Sequence, residues 1–312
     1  MEILIMNKPI QKVSIIGLGA LGILYGEHFL RKMPADDLRI IADSDRVDRY
    51  KSEGIFCNGK ACDFNYVTPE EKVEPADLII FAVKYTTLPE AIRMVKGHVG
   101  PDTIILSVLN GVVSEEEIGA VYGKEHLLYS VAQGMTAAKV GNQMSYKSKG
   151  ILCFGELNAT ENSVKVERVK SFFDQVDLPY EINNRMHDKL WSKLMINVGV
   201  NQTVGYFNAT NKLIQQPGKP REMMLAAMEE VIEVGQREGV GISGDDIAYW
   251  LKIIDSLSPD ESPSMAQDVK AGRPTEVDLF AGTIVALGKK HGLAVPVNEM
   301  FLEHFTKPAS GN

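Results

Sequence analysis

A lysine and two asparagines, Lys193, Asn197 and Asn201, recur at intervals of four residues in the otherwise mostly apolar segment WSKLMINVGVN. Residues four apart lie on one face of a helix, so these side chains form a narrow polar stripe. Unpaired polar groups are costly to bury, and the stripe must therefore face water, another segment or a ligand. An ammonium can donate a proton and stabilise developing negative charge. The alternative is a buried lysine that pairs with Asp268 or Glu276 and merely joins two helices.

A second group of candidate residues lies in SPSMAQDVKAGRPTEVDLFAGTIV, residues 262–285. Ser264 and Asp268 are one turn apart if Ser264 caps a helix, and the sequence AGRP then breaks that helix. Thr275 can cap the next helix and place Glu276 in its first turn, where negative charge is favoured. On the pattern alone, this position at a helix start is a sufficient explanation for Glu276.

Near the N-terminus, a glycine cluster follows a short β-branched run and precedes an amphipathic helical pattern. It has the form G-x-G-x-x-G, and Asp43 lies about 20 residues beyond it, as in dinucleotide-binding turns. In such turns the glycines allow a tight turn, the approach of a pyrophosphate and close helix–strand packing, while N–H groups at the helix start hold the phosphates. The alternative, a glycine-rich turn without a ligand, is disfavoured by this context. The cluster consists of Gly17, Leu18, Gly19, Ala20, Leu21 and Gly22.

The first half of the chain alternates apolar strand patterns with helical ones. Near-continuous apolar strands predict a parallel sheet covered on both faces. Lys84 closes the third strand and Asn110 follows the fourth, and ligands of such sheets bind outside the carboxyl ends of the strands. We therefore expect both beside one cofactor, although each alone is equally consistent with a solvated loop residue. The predicted strands cover residues 13–16, 38–43, 76–84, 103–111 and 126–134, with a helix at 88–99.

The second half contains helical patterns, and no convincing strand follows His187. The predicted fold class is α/β: an N-terminal Rossmann-type doubly wound sheet followed by an all-helical C-terminal domain. We assign residues 1–185 to the dinucleotide-binding domain and residues 186–312 to the helical substrate domain. The predicted helices cover residues 164–176, 188–204, 220–238, 244–257, 276–291 and 297–305.

Composition excludes several classes of protein. The net charge of −8 argues against a nucleic-acid partner, whose phosphates require a basic face. Three cysteines without a CxxC pair, and six scattered histidines, predict a reducing compartment and no metal site. No apolar run reaches the roughly 18 residues of a membrane span, and the first residues lack the pattern of a signal peptide. We therefore expect a cytoplasmic protein without a membrane partner.

Five motifs, in their order and spacing, resemble those of the ketopantoate reductase (2-dehydropantoate 2-reductase) family. The resemblance extends from Val13 to the last predicted helix. It implies a Rossmann domain and an all-helical domain with the active site in the cleft between them. It also implies reduction of the ketone of 2-dehydropantoate with NADPH, in the route to pantothenate and coenzyme A. The motifs are GLGALG at 17–22, AVK ending at Lys84, LNG with Asn110, KLMINVGVN from Lys193 and SMAQDVKAGRPTEVD from Ser264.

The resemblance also implies roles for individual residues. Lys193 corresponds to the general acid that protonates the carbonyl oxygen, and Glu276 to the glutamate that binds the substrate hydroxyl and positions the lysine beside the cofactor. Lys84 and Asn110 are expected on the nicotinamide-ribose side, and Asp268 matches a motif aspartate of less certain role. The residues expected around the substrate are Asn110, Asn197, Asn201 and Ser264.

The chain departs from the family pattern in two places. Asp43 occupies the position where the family usually has an arginine for the 2′-phosphate of NADPH, and a carboxylate there favours the ribose hydroxyl of NADH. Ser44 or Arg46 is the alternative ligand for a phosphate, so the cofactor is NADPH or NADH, with NADH expected to be accepted at least as well. Leu109 and Val113 also differ from the family and can alter the loop over the nicotinamide or the substrate pocket.

Three functions are compatible with the sequence. The first is reduction of 2-dehydropantoate, and the second is reduction of another short branched 2-oxo acid. The third is an NAD(P)-sensing protein without catalysis, which the retained Lys193, Asn197 and Glu276 disfavour because a sensor needs no proton donor. The helical domain also offers a possible homodimer face.

Overall fold

The computed structural model describes residues 8–307, which form two compact units. One unit contains the chain up to Leu109 together with Val113–Met186. The other contains Asn110–Val112 together with the chain from His187 onward. Residues 1–7, where we expect no signal peptide, lie outside the described residues.

In the described part of the first unit, ten strands form one sheet. The spatial order is β4-β3-β9-β8-β7-β6-β1-β2-β5, and β10 pairs with β9. The six strands from β8 to β5 pair in parallel and follow the 3-2-1-4-5-6 order of dinucleotide-binding sheets. The predicted Rossmann-type sheet is confirmed. The strands are β1 Val13–Ile16, β2 Leu38–Ile41, β3 Phe56–Cys57, β4 Lys60–Ala61, β5 Asn65–Val67, β6 Leu78–Phe81, β7 Ile104–Ser107, β8 Leu127–Val140, β9 Gln143–Gly155 and β10 Tyr180–Ile182.

Helices cover both faces of this sheet because its central strands are apolar on both sides. In β6, Leu78 and Ile80 belong to one hydrophobic core, while Ile79 and Phe81 belong to the other. Each buried aliphatic side chain contributes about 1.5–3 kcal/mol of transfer free energy. The sheet is thereby held between two helical layers. The helices of this unit are α1 Ala20–Leu30, α2 Ser44–Glu53, α3 Leu88–Met94, α4 Ser114–Tyr122 and α5 Val164–Val176.

The prediction was wrong at the fifth strand, which is longer than residues 126–134 and is largely antiparallel. Only Leu127 and Leu128 of β8 pair with β7, and the rest of β8 pairs with β9, where we predicted no strand. The outer part of this hairpin is polar and mostly exposed. Its side chains therefore lack the apolar alternation from which a strand is predicted.

The second unit is helical, and no strand occurs between residues 187 and 307. This confirms the predicted all-helical C-terminal region. Its α-helices are α6 Met186–Ile196, α7 Gln202–Tyr206, α8 Lys212–Gln215, α9 Lys219–Arg237, α10 Gly244–Ser256, α11 Ser264–Lys270, α12 Thr283–His291 and α13 Pro296–Thr306.

Two π-helical turns interrupt these helices, where we predicted regular α-helix. The first π turn, Asn197–Asn201, joins α6 to α7, and the second, Asp278–Gly282, precedes α12. Such turns are rare and are frequent at functional sites. The helix α11 begins at Ser264, as expected, but its N-cap is Pro263 and not the serine. The prediction of Thr275 as a cap was wrong, because Val277 is the N-cap of the second π turn.

The long helix α9 lies at the centre of the second unit and fixes the start of α13. No side chain within α13 caps its N-terminus. Instead, the buried carboxyl group of Glu230 on α9 accepts the backbone N–H groups of Val297 and Asn298 at 2.8 and 3.0 Å. It also accepts the Asn298 side-chain amide at 2.7 Å. Three otherwise unpaired donors therefore depend on one side chain.

We expect Glu230→Ala to lower the free energy of unfolding of this unit by about 2–3 kcal/mol, because it leaves buried N–H groups without an acceptor. Urea unfolding followed by tryptophan fluorescence measures this change, since Trp191 and Trp250 both lie in the second unit. The control is Glu229→Ala, which removes an exposed side chain of the same helix and should change stability by less than about 0.5 kcal/mol. Equal effects of the two variants would contradict this account.

Candidate functional site

Four parallel strands of the first unit end at the same level. The register pairs Ile16 with Ile41 and with Phe81, and Phe81 with Ser107. The strand order reverses between β1 and β6, and open α/β sheets bind ligands outside the carboxyl ends at such a point. The glycine turn follows β1 directly at this edge, and Asp43 and Lys84 follow β2 and β6 within a few residues.

The three motif glycines meet different spatial constraints. Gly17 has a φ of +97°, and a Cβ there would lie 2.6 Å from the Ala82 carbonyl oxygen. A Cβ on Gly22 would lie 1.9 Å from the Gly17 carbonyl oxygen. Gly19 differs, because its Cβ would approach Ala82 only to an ordinary contact of 3.5 Å. Packing therefore requires the first and third glycines, while the second leaves space that a ligand can fill.

The start of α1 is suited to an anion. Its first turn contains no acidic residue, and Gly19 at the N-cap provides no side-chain acceptor. Leu18, Ala20 and Leu21 complete the motif without adding a polar side chain. The unpaired N–H groups of the first turn and the helix dipole attract negative charge. The turn therefore fits the pyrophosphate of a dinucleotide.

Asp43 caps helix α2 and carries an ion pair. One carboxylate oxygen accepts the Arg46 backbone N–H at 2.7 Å, and the other lies 2.9 Å from the Arg46 guanidinium. The same guanidinium lies 3.7 Å from Glu90. Arg46, the alternative phosphate ligand, is thus already engaged by two carboxylates, and Ser44 is exposed in the first turn of α2.

Lys84 is exposed and lies in the turn after β6. Its backbone carbonyl accepts the N–H and the hydroxyl of Thr87 at 3.0 and 2.9 Å. These bonds fix the backbone of the turn at the same edge of the sheet as Gly17.

In the second unit, the structure brings together Asn110 and Glu276, which are 166 positions apart. The Asn110 side-chain N–H donates to the Glu276 carboxyl group at 2.9 Å. Glu276 lies two residues before the second π turn, and its backbone carbonyl accepts the N–H of Phe280 at 3.1 Å. Its carboxyl group is therefore oriented by a specific partner in addition to lying at a helix start.

The two amides of the predicted stripe are buried and linked. The side-chain N–H of Asn201 donates to the side-chain oxygen Oδ1 of Asn197 at 3.3 Å and to the Ser264 hydroxyl at 3.4 Å. Asn197 is only 5% exposed, yet its Nδ2 has no hydrogen-bond partner among the described residues. A buried unpaired donor is unusual and calls for an explanation, such as a ligand acceptor.

Lys193 lies one turn before Asn197, in the last turn of α6, and is partly buried. Its ammonium group makes no hydrogen bond or ion pair with any residue from 8 to 307. Desolvation by burial lowers the pKa of Lys193 below the usual 10.5. The expected alternative, a pair with Asp268 or Glu276, does not form, and Asp268 instead pairs with Arg273 at 2.7 Å.

Sequence reasoning missed Gln202, which follows Asn201 and is fully buried. Its side chain bonds to both π turns, as described below. A third amide in an apolar helix was a signal in the sequence, but the helical periodicity of 3.6 residues conceals a π turn.

A sheet of this order with a G-x-G-x-x-G turn after its first strand, followed along the chain by a helical unit, is typical of nicotinamide-nucleotide-dependent oxidoreductases. Two family models match most of the chain. Ketopantoate reductase PanE/ApbA matches residues 13–159, and its C-terminal counterpart matches residues 185–308. The chain therefore belongs to the ketopantoate reductase family.

Individual relatives are distant but span nearly the whole chain. The 2-dehydropantoate 2-reductase of Streptococcus pyogenes serotype M3 is 24% identical over 295 residues, covering 93% of this chain and 95% of the relative. The structure of D-mandelate dehydrogenase with NADH has a TM-score of 0.83 at 22% identity, covering 94% of this chain and 97% of the other. The dimeric ketopantoate reductase of Staphylococcus aureus has a TM-score of 0.77 at 20% identity, with the same coverage.

None of the helices between residues 8 and 307 has the length and apolar character needed to cross a bilayer. In the same part of the chain, no three His, Cys, Asp or Glu side chains are grouped as metal ligands.

We expect Gly19→Ala to weaken coenzyme binding at least tenfold while the fold is retained, because the added methyl group occupies the space left for the pyrophosphate. Titration followed by nicotinamide fluorescence measures the Kd, and thermal unfolding checks the fold. Gly97→Ala is the control, since its Cβ would meet only the Pro69 carbonyl oxygen at 3.7 Å. Unchanged affinity in Gly19→Ala would contradict the assignment of this turn.

Proposed function

We propose that this protein reduces 2-dehydropantoate to pantoate with a nicotinamide coenzyme, and that Lys193 is the general acid. The observation that carries the proposal is a pair of unsatisfied donors one helical turn apart. The ammonium of Lys193 has no counter-ion among the described residues, and the buried Nδ2 of Asn197 has no acceptor. Both donors are free to bind an oxygen-rich substrate.

The chemistry of ketone reduction requires such donors. The bound nicotinamide supplies a hydride to the carbonyl carbon. Negative charge then develops on the carbonyl oxygen, where the Lys193 ammonium stabilises it and donates a proton. Burial lowers the pKa of Lys193 and so makes this ammonium a stronger acid than an exposed lysine.

Polar neighbours complete the proposed substrate site. Asn197 donates to a substrate oxygen. Asn201 donates to Oδ1 of Asn197 at 3.3 Å and to the Ser264 hydroxyl at 3.4 Å, and thereby holds Asn197 in place. The Glu276 carboxyl group, oriented by Asn110, accepts the substrate hydroxyl. These roles follow the family resemblance, and the observed contacts support them.

We further propose that NADH is used in preference to NADPH. Asp43 and Glu90 both lie beside Arg46, so a 2′-phosphate entering this region would meet two carboxylates. A free ribose hydroxyl can instead donate to Asp43. The structural likeness to D-mandelate dehydrogenase in complex with NADH supports this choice.

A second candidate is reduction of a different 2-oxo acid. The structural likeness to D-mandelate dehydrogenase favours it, as do Leu109 and Val113, which depart from the family pattern. A homodimer, a place in pantothenate biosynthesis and a cytoplasmic location complete the proposal. The dimeric ketopantoate reductase of Staphylococcus aureus supports the homodimer. The buried thiols of Cys57, Cys62 and Cys153 support a reducing compartment.

We expect Lys193→Met to lower kcat/KM for 2-dehydropantoate by about 10²–10⁴-fold, the scale of a positioned proton donor. The wild-type rate of reduction should fall as pH rises through the lowered pKa of Lys193, and the variant should lack this limb. Initial rates with NADH and NADPH over a pH series measure both effects. Lys252→Met is the matched control, because Lys252 is exposed on α10.

The same variant should be more stable than wild type at pH 7. The folded state lowers the pKa of Lys193, so the unfolded chain binds the proton more tightly and burial of the ammonium destabilises the fold below that pKa. The stability gap between the variant and wild type should shrink as pH rises from the lowered pKa towards 10.5.

Wild type that binds coenzyme but reduces no 2-dehydropantoate, while it reduces another 2-oxo acid, would transfer the proposal to the second candidate.

We expect Asp43→Asn to raise the NADPH-to-NADH ratio of kcat/KM about tenfold. Asparagine caps a helix as well as aspartate does, so the substitution removes the charge and retains α2. Rates with both coenzymes measure the ratio. Asp45→Asn, which removes an exposed charge from the same first turn, should leave the ratio within twofold. Wild type that prefers NADPH would contradict the coenzyme assignment.

A further inference from the structure

The fully buried side chain of Gln202 bonds to both π turns. Its Oε1 accepts the backbone N–H of Ala281 at 3.0 Å, within the second π turn. Its Nε2 donates to the Val198 carbonyl at 3.1 Å, within the first π turn. The two turns also pack against each other. One amide group therefore joins the two irregular segments of the second unit.

The bond to Ala281 accounts for the second π turn. In an α-helix the N–H of Ala281 would bond to the carbonyl of Val277. That carbonyl instead accepts the N–H of Gly282 at 2.9 Å, which is the five-residue spacing of a π turn. The side-chain carbonyl of Gln202 thus replaces the backbone carbonyl of Val277 as the acceptor for the Ala281 N–H. A side chain inserted into the ladder of helical hydrogen bonds is a recognised cause of such irregularity.

The first π turn has the complementary defect. The backbone N–H of Gln202 is directed to the Gly199 carbonyl, and the Val198 carbonyl accepts the side-chain N–H instead. The amide of Gln202 therefore supplies an acceptor to one turn and a donor to the other. The Val198 carbonyl of the first turn and the Ala281 N–H of the second turn are therefore both paired.

A second buried contact fixes the orientation of this amide. Nε2 of Gln202 also donates to Oδ1 of Asn298 at 3.3 Å. Asn298 is in turn held by Glu230 at 2.7 Å. Side chains in such a chain of buried hydrogen bonds are constrained more strongly than isolated pairs.

Both π turns adjoin the proposed substrate site. The first begins at Asn197 and ends at Asn201, and the second begins two residues after Glu276. We propose that Gln202 is a positioning residue, which holds the two π turns together and thereby sets the placement of the Asn197 amide relative to the Glu276 carboxyl group. The assignment of a substrate to these groups rests on the proposed function.

The test compares Gln202→Leu and Gln202→Glu with Thr203→Val. Thr203 is fully buried and its hydroxyl has no partner among the described residues, so its nearly isosteric replacement disturbs packing alone. Leucine removes all three side-chain bonds of Gln202, whereas ionised glutamate keeps the acceptor for Ala281 and loses the donor for Val198 and Asn298. We measure kcat and KM for 2-dehydropantoate, the Kd of NADH, thermal unfolding, and hydrogen exchange in residues 276–283.

We expect Gln202→Leu to lower kcat/KM about 10–100-fold and to raise KM for the acid, with the Kd of NADH within twofold of wild type. The coenzyme turn lies in the other unit and should not respond. Gln202→Glu should show a smaller loss, which also serves as the test if the leucine variant does not fold. Both kinetic constants within twofold of Thr203→Val would overturn the positioning role, even if thermal stability falls.

Failure of the proposed function is distinguishable from failure of this inference. Wild type that reduces no 2-oxo acid would remove the proposed function, and hydrogen exchange would then decide the role of Gln202. Exchange at Ala281 that is at least tenfold faster in Gln202→Leu than in Thr203→Val would support the link between the turns. Exchange at equal rates in the two variants would overturn it.

Discussion

Buried amides remain stable inside an apolar helical core only where each finds a hydrogen-bond partner, and this constraint organises the second unit. Gln202 and Asn298 satisfy one another and the backbone around them. Gln202 bonds to the backbone of both π turns, and Asn298 connects it to Glu230 on α9, so the positions of these segments become coupled. Asn197 differs from Gln202 and Asn298, because its Nδ2 donor has no partner among the described residues. A buried unpaired donor beside this network calls for a specific explanation, and a substrate acceptor is the one proposed here.

The lysine beside this network illustrates the conflict between stability and chemistry. Burial without a counter-ion destabilises the ammonium of Lys193 and lowers its pKa. A carboxylate partner would relieve this cost, but it would also raise the pKa and weaken the acid. Asp268 is instead paired with Arg273, and Glu276 accepts from the neutral amide of Asn110. The lowered pKa that suits the proposed proton donation by Lys193 therefore comes at the expense of folding stability.

The first unit satisfies a simpler constraint. A parallel strand must end and a helix must begin within a few residues, which Gly17 and Gly22 make possible through a positive φ and a close backbone approach. The helix start then offers unpaired N–H groups at the edge where the strand order reverses. Asp43 follows β2 at the same edge, where it caps α2 and pairs with the Arg46 guanidinium.

Much of this organisation could be predicted from the sequence. The alternation of strand and helix, the glycine turn and helix 164–176 follow from short-range periodicity and turn chemistry, and the order of five motifs indicated the family. The β8–β9 hairpin could not be predicted, because its outer half is solvated and lacks an apolar pattern. The contact between Asn110 and Glu276 and the two π turns were decided by tertiary structure alone. Each depends on groups that are far apart in the sequence and meet in the fold. The side chain of Gln202, for example, replaces the Val277 carbonyl as the acceptor for the Ala281 N–H. Local periodicity contains no information about such long-range hydrogen bonds.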